Sequence, residues 1–429
     1  MSLRIIYGKS GSGKSEYCFN EIAKLVKTEK KIYIITPEQF SFTAEKKLMD
    51  AIDTKAVINA EVLTISRMAH RVLKEIGGNT QTQLTKCGKS MLIYSILNEN
   101  KNNLKFLSKS DENIDLSMTA ITEFKKHGVL PQDLQQEIEN TDDQYLKTKL
   151  NDMFLIYSNF EKKLQGEYIE DTDLLTMLSN TIEDTDIVKD SLIYIDEFSG
   201  FTYQEYEVLK KFIKLAKQVT ITVCADSLEP SLKPDTDIFY PNKVTISKIM
   251  NLVKEEKLEL ENTVYLGETP RFKTDELKYL EKNIFNNRAK KYDKKVENIK
   301  LFLAKNQYSE IENVAKQITR LVRDKKLRYK DISVITRNID TYSSLIRSIF
   351  AQYDIPVFID EKRDLNQNII VQYLLSIFEI FSNNFSKEAV FNYLKIGFSD
   401  IENDDIFKLE NYCTKWGIKH NKWKNDFTY

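Results

Sequence analysis

The stretch from Gly8 to Ser15 constrains this chain more than any other feature, because it matches the phosphate-binding pattern G-x-x-x-x-G-K-[ST]. An apolar run at Leu3–Tyr7 predicts a strand before it, and a helical pattern follows. In such a strand–loop–helix unit, backbone N–H groups surround phosphate oxygens and the helix directs its positive end at them. We therefore predict a site for ATP and Mg²⁺, with Lys14 on the β- and γ-phosphates and Ser15 on the metal. The predicted cofactor-binding residues of the loop are Gly8, Gly11, Gly13, Lys14 and Ser15.

A second pair of candidate residues follows the apolar run Leu192–Ile195, which predicts a buried strand ending at Asp196 and Glu197. An Asp in this position can hold the Mg²⁺ shell, and a neighbouring Glu can orient or deprotonate an attacking water. We therefore predict Asp196 as a nucleotide and magnesium residue, and Lys14 and Glu197 as catalytic residues. Asp226 ends a later apolar run, where a third site residue and a plain polar strand end are equally good interpretations.

The hydrophobic periodicity predicts an α/β protein with a parallel sheet, because short apolar runs alternate with helical patterns. The pattern between residues 83 and 190 is almost entirely helical, and apolar strands resume at Leu192–Ile195 and Val219–Val223. We interpret 83–190 as a helical insert in one sheet domain. A charged stretch at 276–298 predicts a linker. Three further apolar runs predict strands of a second α/β unit, at Ile299–Ala304, Ile332–Thr336 and Val357–Ile359.

Composition excludes several classes of protein. The chain has no run of about 18 apolar residues that would span a membrane, and its first residues lack the apolar core of a signal peptide. Four scattered cysteines without a Cys-x-x-Cys pair argue against a disulfide framework or a self-contained metal site. We therefore expect a cytoplasmic protein with no membrane partner. Because the formal net charge is only −1, any DNA binding must come from local patches.

Two segments combine aromatic, hydroxyl and basic side chains that suit contact with a polynucleotide. Thr36–Thr43 interleaves two Phe with hydrogen-bonding residues, and Thr64–Arg71 places two Arg and a His at a strand-to-helix turn. Aromatic rings stack on bases, while hydroxyl groups and Arg bind phosphates. For the first segment the residues alone favour a buried Phe pair. For the second, DNA contact and an ordinary helix cap at Ser66 are equally good interpretations.

Together these motifs resemble the N-terminal portion of AddB (RexB-type) subunits of bacterial AddAB ATP-dependent helicase/deoxyribonucleases, which have a superfamily 1 helicase fold. The similarity spans nearly the whole chain. Besides the phosphate loop, it is carried by Ile34–Phe42, Leu63–Val72, Glu167–Leu175, Tyr194–Thr202 and Tyr329–Arg337. The stretches Pro-Glu-Gln-Phe-Ser-Phe and Asp-Glu-Phe-Ser-Gly-Phe-Thr within them are more specific to this family than the phosphate loop.

The resemblance implies a domain arrangement. It implies a P-loop (RecA-like) motor domain with a helical insert, followed by the start of a second RecA-like domain and of a second helical insert. The chain is then expected to be the front part of a longer protein. The corresponding ranges are 1–82 and 191–275 for the first domain, 83–190 for its insert, 276–298 for the linker, 299–382 for the second domain and 383–429 for the second insert.

The resemblance also implies a role in DNA processing. Such subunits pair with an AddA-type helicase–nuclease to resect double-strand breaks for homologous recombination, and they contact single- and double-stranded DNA. They help to recognise a hotspot (Chi) sequence, and the matching positions here are Gln39, Ser41, Ile65, Arg67 and His70. His70 stands where an aromatic residue would stack better. Arg337 would serve the nucleotide from the second motor domain, and a nuclease domain with a [4Fe–4S] cluster is expected beyond residue 429.

Two departures from an active motor favour a subunit that does not itself unwind DNA. Active motors carry an adenine-recognising Gln upstream of the phosphate loop, where this chain has only a short leader, and a Gln after the third-motif Asp, where Asp226 is followed by Ser-Leu-Glu-Pro. The alternatives are an active UvrD-type superfamily 1 helicase and a non-catalytic scaffold with a vestigial nucleotide site. The intact Lys14, Ser15 and Asp196–Glu197 argue against complete loss of that site.

Overall fold

The computed structural model describes residues 2–52, 59–78, 81–107, 112–231, 234–286, 288–361 and 365–427. The chain divides into two compact units, Met1–Ile299 and Lys300–Tyr429. Each unit has its own apolar clusters, so each is described by itself.

A parallel sheet lies at the centre of the first unit. Its main strands are short apolar runs covered by helices on both faces, as parallel strands require. All strand pairings in it are parallel, so the carboxyl ends of the strands meet at one edge. The order across the sheet is β3 (Ala60–Leu63), β2 (Ile32–Ile35), β6 (Leu192–Ile195), β7 (Gln218–Cys224), β1 (Ser2–Gly8) and β8 (Glu259–Leu260), with β9 (Val264–Tyr265) also paired to β1. The prediction of a parallel α/β sheet is confirmed.

Helices cover both faces of this sheet because alternate residues of each strand point to opposite sides. On one face, Ile6, Ile34 and Tyr194 pack with α1 (Lys14–Leu25) and α2 (Glu38–Ile52). On the other face, Ile5, Ile35 and Ile193 belong to a larger apolar cluster. The helices of that second face are α3 (Ile65–Glu75), α8 (Asp171–Thr181), α9 (Tyr203–Leu215) and α10 (Tyr240–Glu255).

Helices dominate the chain between β3 and β6. They pack around a separate core that includes Ile121, Ile156 and Phe160. A short parallel pair of strands, β4 (Thr82–Gln83) and β5 (Tyr168–Ile169), lies at the two ends of this region. The helices around this separate core are α4 (Lys86–Glu99), α5 (Glu112–Lys126), α6 (Pro131–Asn140) and α7 (Gln144–Leu164).

A buried cluster of charges joins these helices to α8, and it is called the insert charge cluster below. Lys125 Nζ lies 2.7 Å from Glu170, 2.8 Å from Glu161 and 2.9 Å from Asp173. Lys89 Nζ lies 2.7 Å from the other oxygen of Glu170. Burial alone would lower the pKa of Lys125, but the three carboxylates outweigh it and raise that pKa. Both lysines and Glu170 are buried, and each lies within ion-pair distance of a side chain of opposite formal charge.

In the first unit, one helix begins next to a proline and another lies in a segment expected as a linker. Helix α2 begins at Glu38, directly after Pro37, because proline fits the position just before or at the first helical turn. The segment 276–298, expected as a linker, contains most of a further helix, α11 (Asp275–Asn283).

The second unit contains five α-helices in its described residues. Four of them contribute to two small apolar clusters, one around Ile349 and Phe350 and one around Phe391 and Cys413. The helices are α12 (Gln307–Lys325), α13 (Ile339–Gln352), α14 (Ile369–Ser382), α15 (Lys387–Lys395) and α16 (Asn403–Trp416).

The three strands predicted for the second unit do not form. Within 300–361 and 365–427 no residue belongs to a strand, and the side chains of Leu301, Leu303 and Ile335 are more than 90% exposed. An apolar run becomes a strand only where a neighbouring segment pairs with its backbone N–H and C=O groups. The expectation of strands at 299–304, 332–336 and 357–359 is therefore wrong for this structure.

None of the helices in the described ranges has both the length and the apolar character needed to cross a lipid bilayer.

Candidate functional site

The phosphate loop connects β1 to α1 at the carboxyl edge of the sheet. Gly11 and Gly13 have φ angles of 84° and 89°, in the left-handed region that only glycine adopts without strain. Gly8 is required for a different reason, because a Cβ there would collide with the carbonyl oxygen of Leu266. The glycines therefore allow the loop to curl tightly against the segment that follows β9.

Lys14, the first residue of α1, points back across this loop. Its ammonium donates hydrogen bonds to the carbonyl oxygens of Gly8 at 2.9 Å and Lys9 at 3.0 Å. Three N–H groups are available on an ammonium, and phosphate oxygens are stronger acceptors than neutral carbonyls. Lys14 is thus placed where a bound phosphate would be in reach of its charge.

Asp196 and Glu197 follow β6 at the same edge. Asp196 is only 4% exposed, and one carboxylate oxygen accepts a hydrogen bond from the hydroxyl of Thr222 on β7. Glu197 is exposed and has a φ angle of 66°, which is unfavourable for a residue with a Cβ. Its Oε1 accepts a hydrogen bond from Ser15 Oγ at 3.1 Å. The backbone turn after β6 therefore places the Asp196 carboxylate in the buried interior beside Thr222 and the Glu197 carboxylate at the exposed surface beside Ser15.

A cavity of about 750 Å³ connects these groups. Its lining includes Lys14 and Ser15 from α1 together with Asp196 and Glu197. The structure therefore brings together the residues predicted from two motifs that lie about 180 positions apart in the chain.

Arg271 is a lining residue that sequence reasoning missed. Its Nη1 lies 3.3 Å from Ser10 Oγ, and its side chain covers Gly11 so closely that a Cβ on that glycine would lie 2.9 Å from Arg271 Cβ. The sequence gives only a weak indication that Arg271 belongs to the site. It is the first Arg after Arg71, and it follows the turn-forming pair Thr269-Pro270. The cavity is thus lined by a guanidinium as well as an ammonium, and both contact the phosphate loop.

The oxygen donors in this cavity suit a hard cation such as Mg²⁺, which prefers hydroxyl, carboxylate and phosphate oxygens. In the part of the chain that the structure describes, no three His, Cys, Asp or Glu residues are grouped closely enough to hold a metal ion. Ser15 and Asp196 could therefore hold Mg²⁺ only together with phosphate oxygens and water, which is how phosphate-loop proteins bind it.

Asp226, the alternative third site residue, forms an ion pair. Lys243 of α10 is buried, and its Nζ lies 2.8 Å from Asp226 and 2.8 Å from Asp237. Burial would lower the pKa of Lys243, but the two carboxylates raise it, and Lys243 in turn lowers the pKa of Asp237. These contacts favour the interpretation of Asp226 as a strand end held by a structural ion pair.

Gln39 and Arg67, two of the predicted DNA-contact residues, lie on neighbouring helix starts. They are exposed in the first turns of α2 and α3, which follow the paired strands β2 and β3. Arg67 Nη1 lies 3.5 Å from Glu45 on α2. Ile65, half-buried, is the first residue of α3. Two adjacent helix N-termini with an Arg between them are suited to an anion such as a DNA phosphate.

Ser41 and His70 are placed differently from each other. Ser41 is buried, and its hydroxyl donates to the carbonyl oxygen of Glu38 at 3.0 Å. His70 is exposed and lines a second cavity, of about 250 Å³, beside Lys74 and Gln83. The structure therefore does not bring the Ser41 hydroxyl to the surface that Gln39 and Arg67 share.

The structure corrects two details of these segments. The expected buried Phe pair is wrong, because the Phe42 side chain is 77% exposed on α2. The N-cap of α3 is Thr64, not Ser66, since Thr64 Oγ1 accepts a hydrogen bond from Arg67 N at 3.1 Å. The exposed face of α2 thus carries an aromatic ring near the two helix starts.

Arg337 belongs to the second unit. It is exposed and lies two positions before α13 begins. Its predicted contact with the nucleotide stays a prediction.

Two protein-family models match this chain. The model described as "ADDB, N-terminal" matches residues 5–281, and the model described as "UvrD-like helicase C-terminal domain" matches residues 270–429. The first match contains the phosphate loop, Asp196–Glu197 and Arg271.

Curated relatives align along the whole chain. Proteins named as the B subunit of an ATP-dependent helicase/deoxyribonuclease are 42% identical over 435 residues in Clostridium botulinum (strain Loch Maree / Type A3) and 40% identical over 437 residues in Thermoanaerobacter sp. (strain X514). A third, from Clostridium tetani, is 41% identical over 443 residues. These alignments cover 99–100% of this chain and 38% of each relative. Since the N-terminal family model matches well over half of its residues, the chain belongs to the ADDB N-terminal family.

Proposed function

We propose that this chain is the ATP-binding, DNA-contacting N-terminal portion of one subunit of a bacterial helicase–nuclease. The observation that carries the proposal is the single cavity lined by Lys14, Ser15, Asp196, Glu197 and Arg271. The relatives are named as subunits of an ATP-dependent helicase/deoxyribonuclease, which supports such a complex as the one in which this cavity acts.

In this proposal the phosphates of ATP lie in the loop Gly8–Ser15, between the Lys14 ammonium and the Arg271 guanidinium. Ser15 and Asp196 hold Mg²⁺, which neutralises charge on the phosphates when it is bound. Glu197 orients or deprotonates the attacking water.

We further propose that single-stranded DNA crosses the exposed starts of α2 and α3. Gln39 and Arg67 contact its phosphates, and the exposed Phe42 ring and His70 are available to stack on bases. Ile65 supports the base-facing surface. Ser41 stabilises the first turn of α2 through its bond to Glu38, so its part in recognising a hotspot (Chi) sequence is indirect.

The wider assignment rests on the family. In this proposal the chain consists of a RecA-like motor domain, interrupted by the helices of 83–190, and the start of a second RecA-like domain. It forms a cytoplasmic heterodimer with an AddA-type subunit. The heterodimer resects double-strand breaks for homologous recombination, and this subunit does not itself unwind DNA. The relatives are much longer than this chain. In this proposal, the nuclease domain and the [4Fe–4S] cluster belong to that further length.

The direct test of the nucleotide site is Lys14→Ala. The substitution removes the charged hydrogen bonds to phosphate, so ATP affinity should fall roughly ten- to a hundredfold. Isothermal titration calorimetry with ATP and Mg²⁺ measures this on the purified chain. Lys24→Ala, at an exposed position in the last turn of the same helix, is the matched control and should bind like the wild type. Equal affinity in all three proteins would refute the nucleotide site.

A further inference from the structure

Helix α11 contacts the phosphate loop through one side. Glu281 Oε1 lies 3.1 Å from Lys9 Nζ, and both side chains are partly exposed. The residues before the helix contact the same loop through Arg271 and Ser10, and they contact the end of β1 through the hydrogen bond from Leu266 N to Tyr7 O at 2.9 Å. The Lys9–Glu281 pair thus makes a direct charged contact between the helix itself and the phosphate loop.

The opposite side of α11 holds residues 288–298, the last segment before the second unit. The Glu276 carboxylate accepts hydrogen bonds from Glu297 N at 2.9 Å and Asn298 N at 2.6 Å, and Glu276 is buried. The rings of Tyr279 and Tyr292 lie 5.0 Å apart, and the Tyr279 hydroxyl donates to the carbonyl oxygen of Lys290.

Helical geometry explains why these two sets of contacts do not compete. At about 100° per residue, Glu276 and Tyr279 are about 60° apart around the helix axis, whereas Glu281 is turned about 140° from Glu276. One rigid helix of two and a half turns therefore joins the phosphate loop to the chain segment that leads into the second unit.

We propose that Glu281 is a nucleotide-sensitive positioning residue: phosphate bound in the loop displaces Glu281 from Lys9, and α11 then loosens its hold on 288–298. A bound triphosphate attracts the Lys9 ammonium and repels the Glu281 carboxylate, so the two anions exclude each other from Lys9. The inference rests on the proposed nucleotide site and extends it, because it states how occupancy of that site reaches a segment on the far side of α11.

Hydrogen exchange measured by mass spectrometry tests the proposal. The reporter is the exchange of the peptide covering 288–298, which contains the N–H groups that donate to Glu276. In the wild type, a non-hydrolysable ATP analogue with Mg²⁺ should increase this exchange. In Glu281→Gln the exchange should already be high without the analogue and change little when it is added.

The same variant should bind the analogue more tightly, roughly two- to fivefold, because an exposed ion pair no longer competes for Lys9. Glu268→Gln is the matched control, since it removes the same charge from an exposed position on the chain between β9 and α11. This control should keep the exchange and the affinity of the wild type.

A third variant tests the connection from its other end. Glu276→Ala frees 288–298 without touching the phosphate loop, and linkage between the two sites requires that it also raise affinity for the analogue. If the wild type binds the analogue while exchange at 288–298 stays constant, or if neither Glu281→Gln nor Glu276→Ala changes affinity, the connection is refuted and the nucleotide site stands. If the wild type does not bind the analogue at all, the nucleotide site itself is refuted.

Discussion

Glu197 shows at a single residue how the candidate site departs from what is locally most stable. Its φ of 66° costs a residue with a Cβ about 1–2 kcal/mol, and the turn places its carboxylate against Ser15. Strained backbone of this kind persists where the surroundings enforce it, often at functional sites. The strain thus supports the proposed role of Glu197 independently of sequence motifs.

This strain leads to a stability prediction. Glu197→Gly should be more stable than Glu197→Ala by about 0.5–1 kcal/mol, because glycine adopts the left-handed conformation freely but also gains freedom in the unfolded chain. The difference in the free energy of unfolding is measured by urea unfolding of the chain, monitored by far-UV circular dichroism. Both variants lack the carboxylate, so its loss cancels in the comparison. A glycine variant no more stable than the alanine variant would show that the turn is not strained.

The pair formed by Arg67 and Glu45 leads to a prediction about DNA binding. Arg67→Ala should weaken binding of single-stranded DNA roughly tenfold and reduce the dependence of log affinity on log salt concentration by about 0.7. Glu45→Gln should have the opposite effect, since it frees the Arg67 guanidinium from a competing carboxylate. Fluorescence anisotropy with a labelled oligonucleotide at several salt concentrations measures both. The same sign of change in both variants would place the DNA elsewhere.

Among individual residues, those in local motifs could be predicted and those supplied by distant contacts could not. Lys14, Ser15 and Asp196 follow from the strand–loop–helix pattern and the apolar strand before Asp196. Arg271 and the Lys9–Glu281 pair depend on how β9 and α11 pack against the phosphate loop, more than 250 positions away in the chain. The hydrophobic periodicity within either segment contains no information about its contact with the other.

At the level of secondary structure, an apolar run predicted a strand correctly only where a partner was present. Leu192–Ile195 forms β6 as expected, since β2 and β7 lie on either side of it. Ile332–Thr336 has similar composition but no ladder partner, and it remains irregular. The pairing of a strand is a property of the whole sheet, and periodicity along one segment contains no information about its neighbours.

The insert charge cluster leads to a prediction about the helices it joins. Lys125→Met should destabilise the first unit by about 3 kcal/mol, because it leaves buried carboxylates without one of their partners. Lys126→Met, at the next residue, which is partly exposed, is the matched control and should change stability by less than about 0.5 kcal/mol. Urea unfolding followed by circular dichroism gives both values. Equal effects in the two variants would mean that Glu170 is stabilised without Lys125.

At the scale of the whole molecule, we expect the two units to give separate spectroscopic signals when they unfold. The two tryptophans of the chain, Trp416 and Trp423, both lie in the second unit. Tryptophan fluorescence should therefore follow that unit alone, whereas circular dichroism follows the helices of both. Lys125→Met should lower the midpoint measured by circular dichroism and leave the fluorescence midpoint unchanged. A shift of the fluorescence midpoint by the same amount would show that the units unfold together.

The strand order of the first unit also determines when the proposed nucleotide site can form while the chain is being synthesised on the ribosome. β1 and β2 are not neighbours in the sheet, since β6 and β7 lie between them. The newly made phosphate loop therefore lacks its supporting strand until Cys224 has been synthesised, more than 200 residues after Gly8. At about 5–20 residues per second this wait lasts roughly ten to forty seconds. During that time the exposed apolar edge of β1 is a natural client for a chaperone, and slow translation of the intervening helices would prolong the exposure.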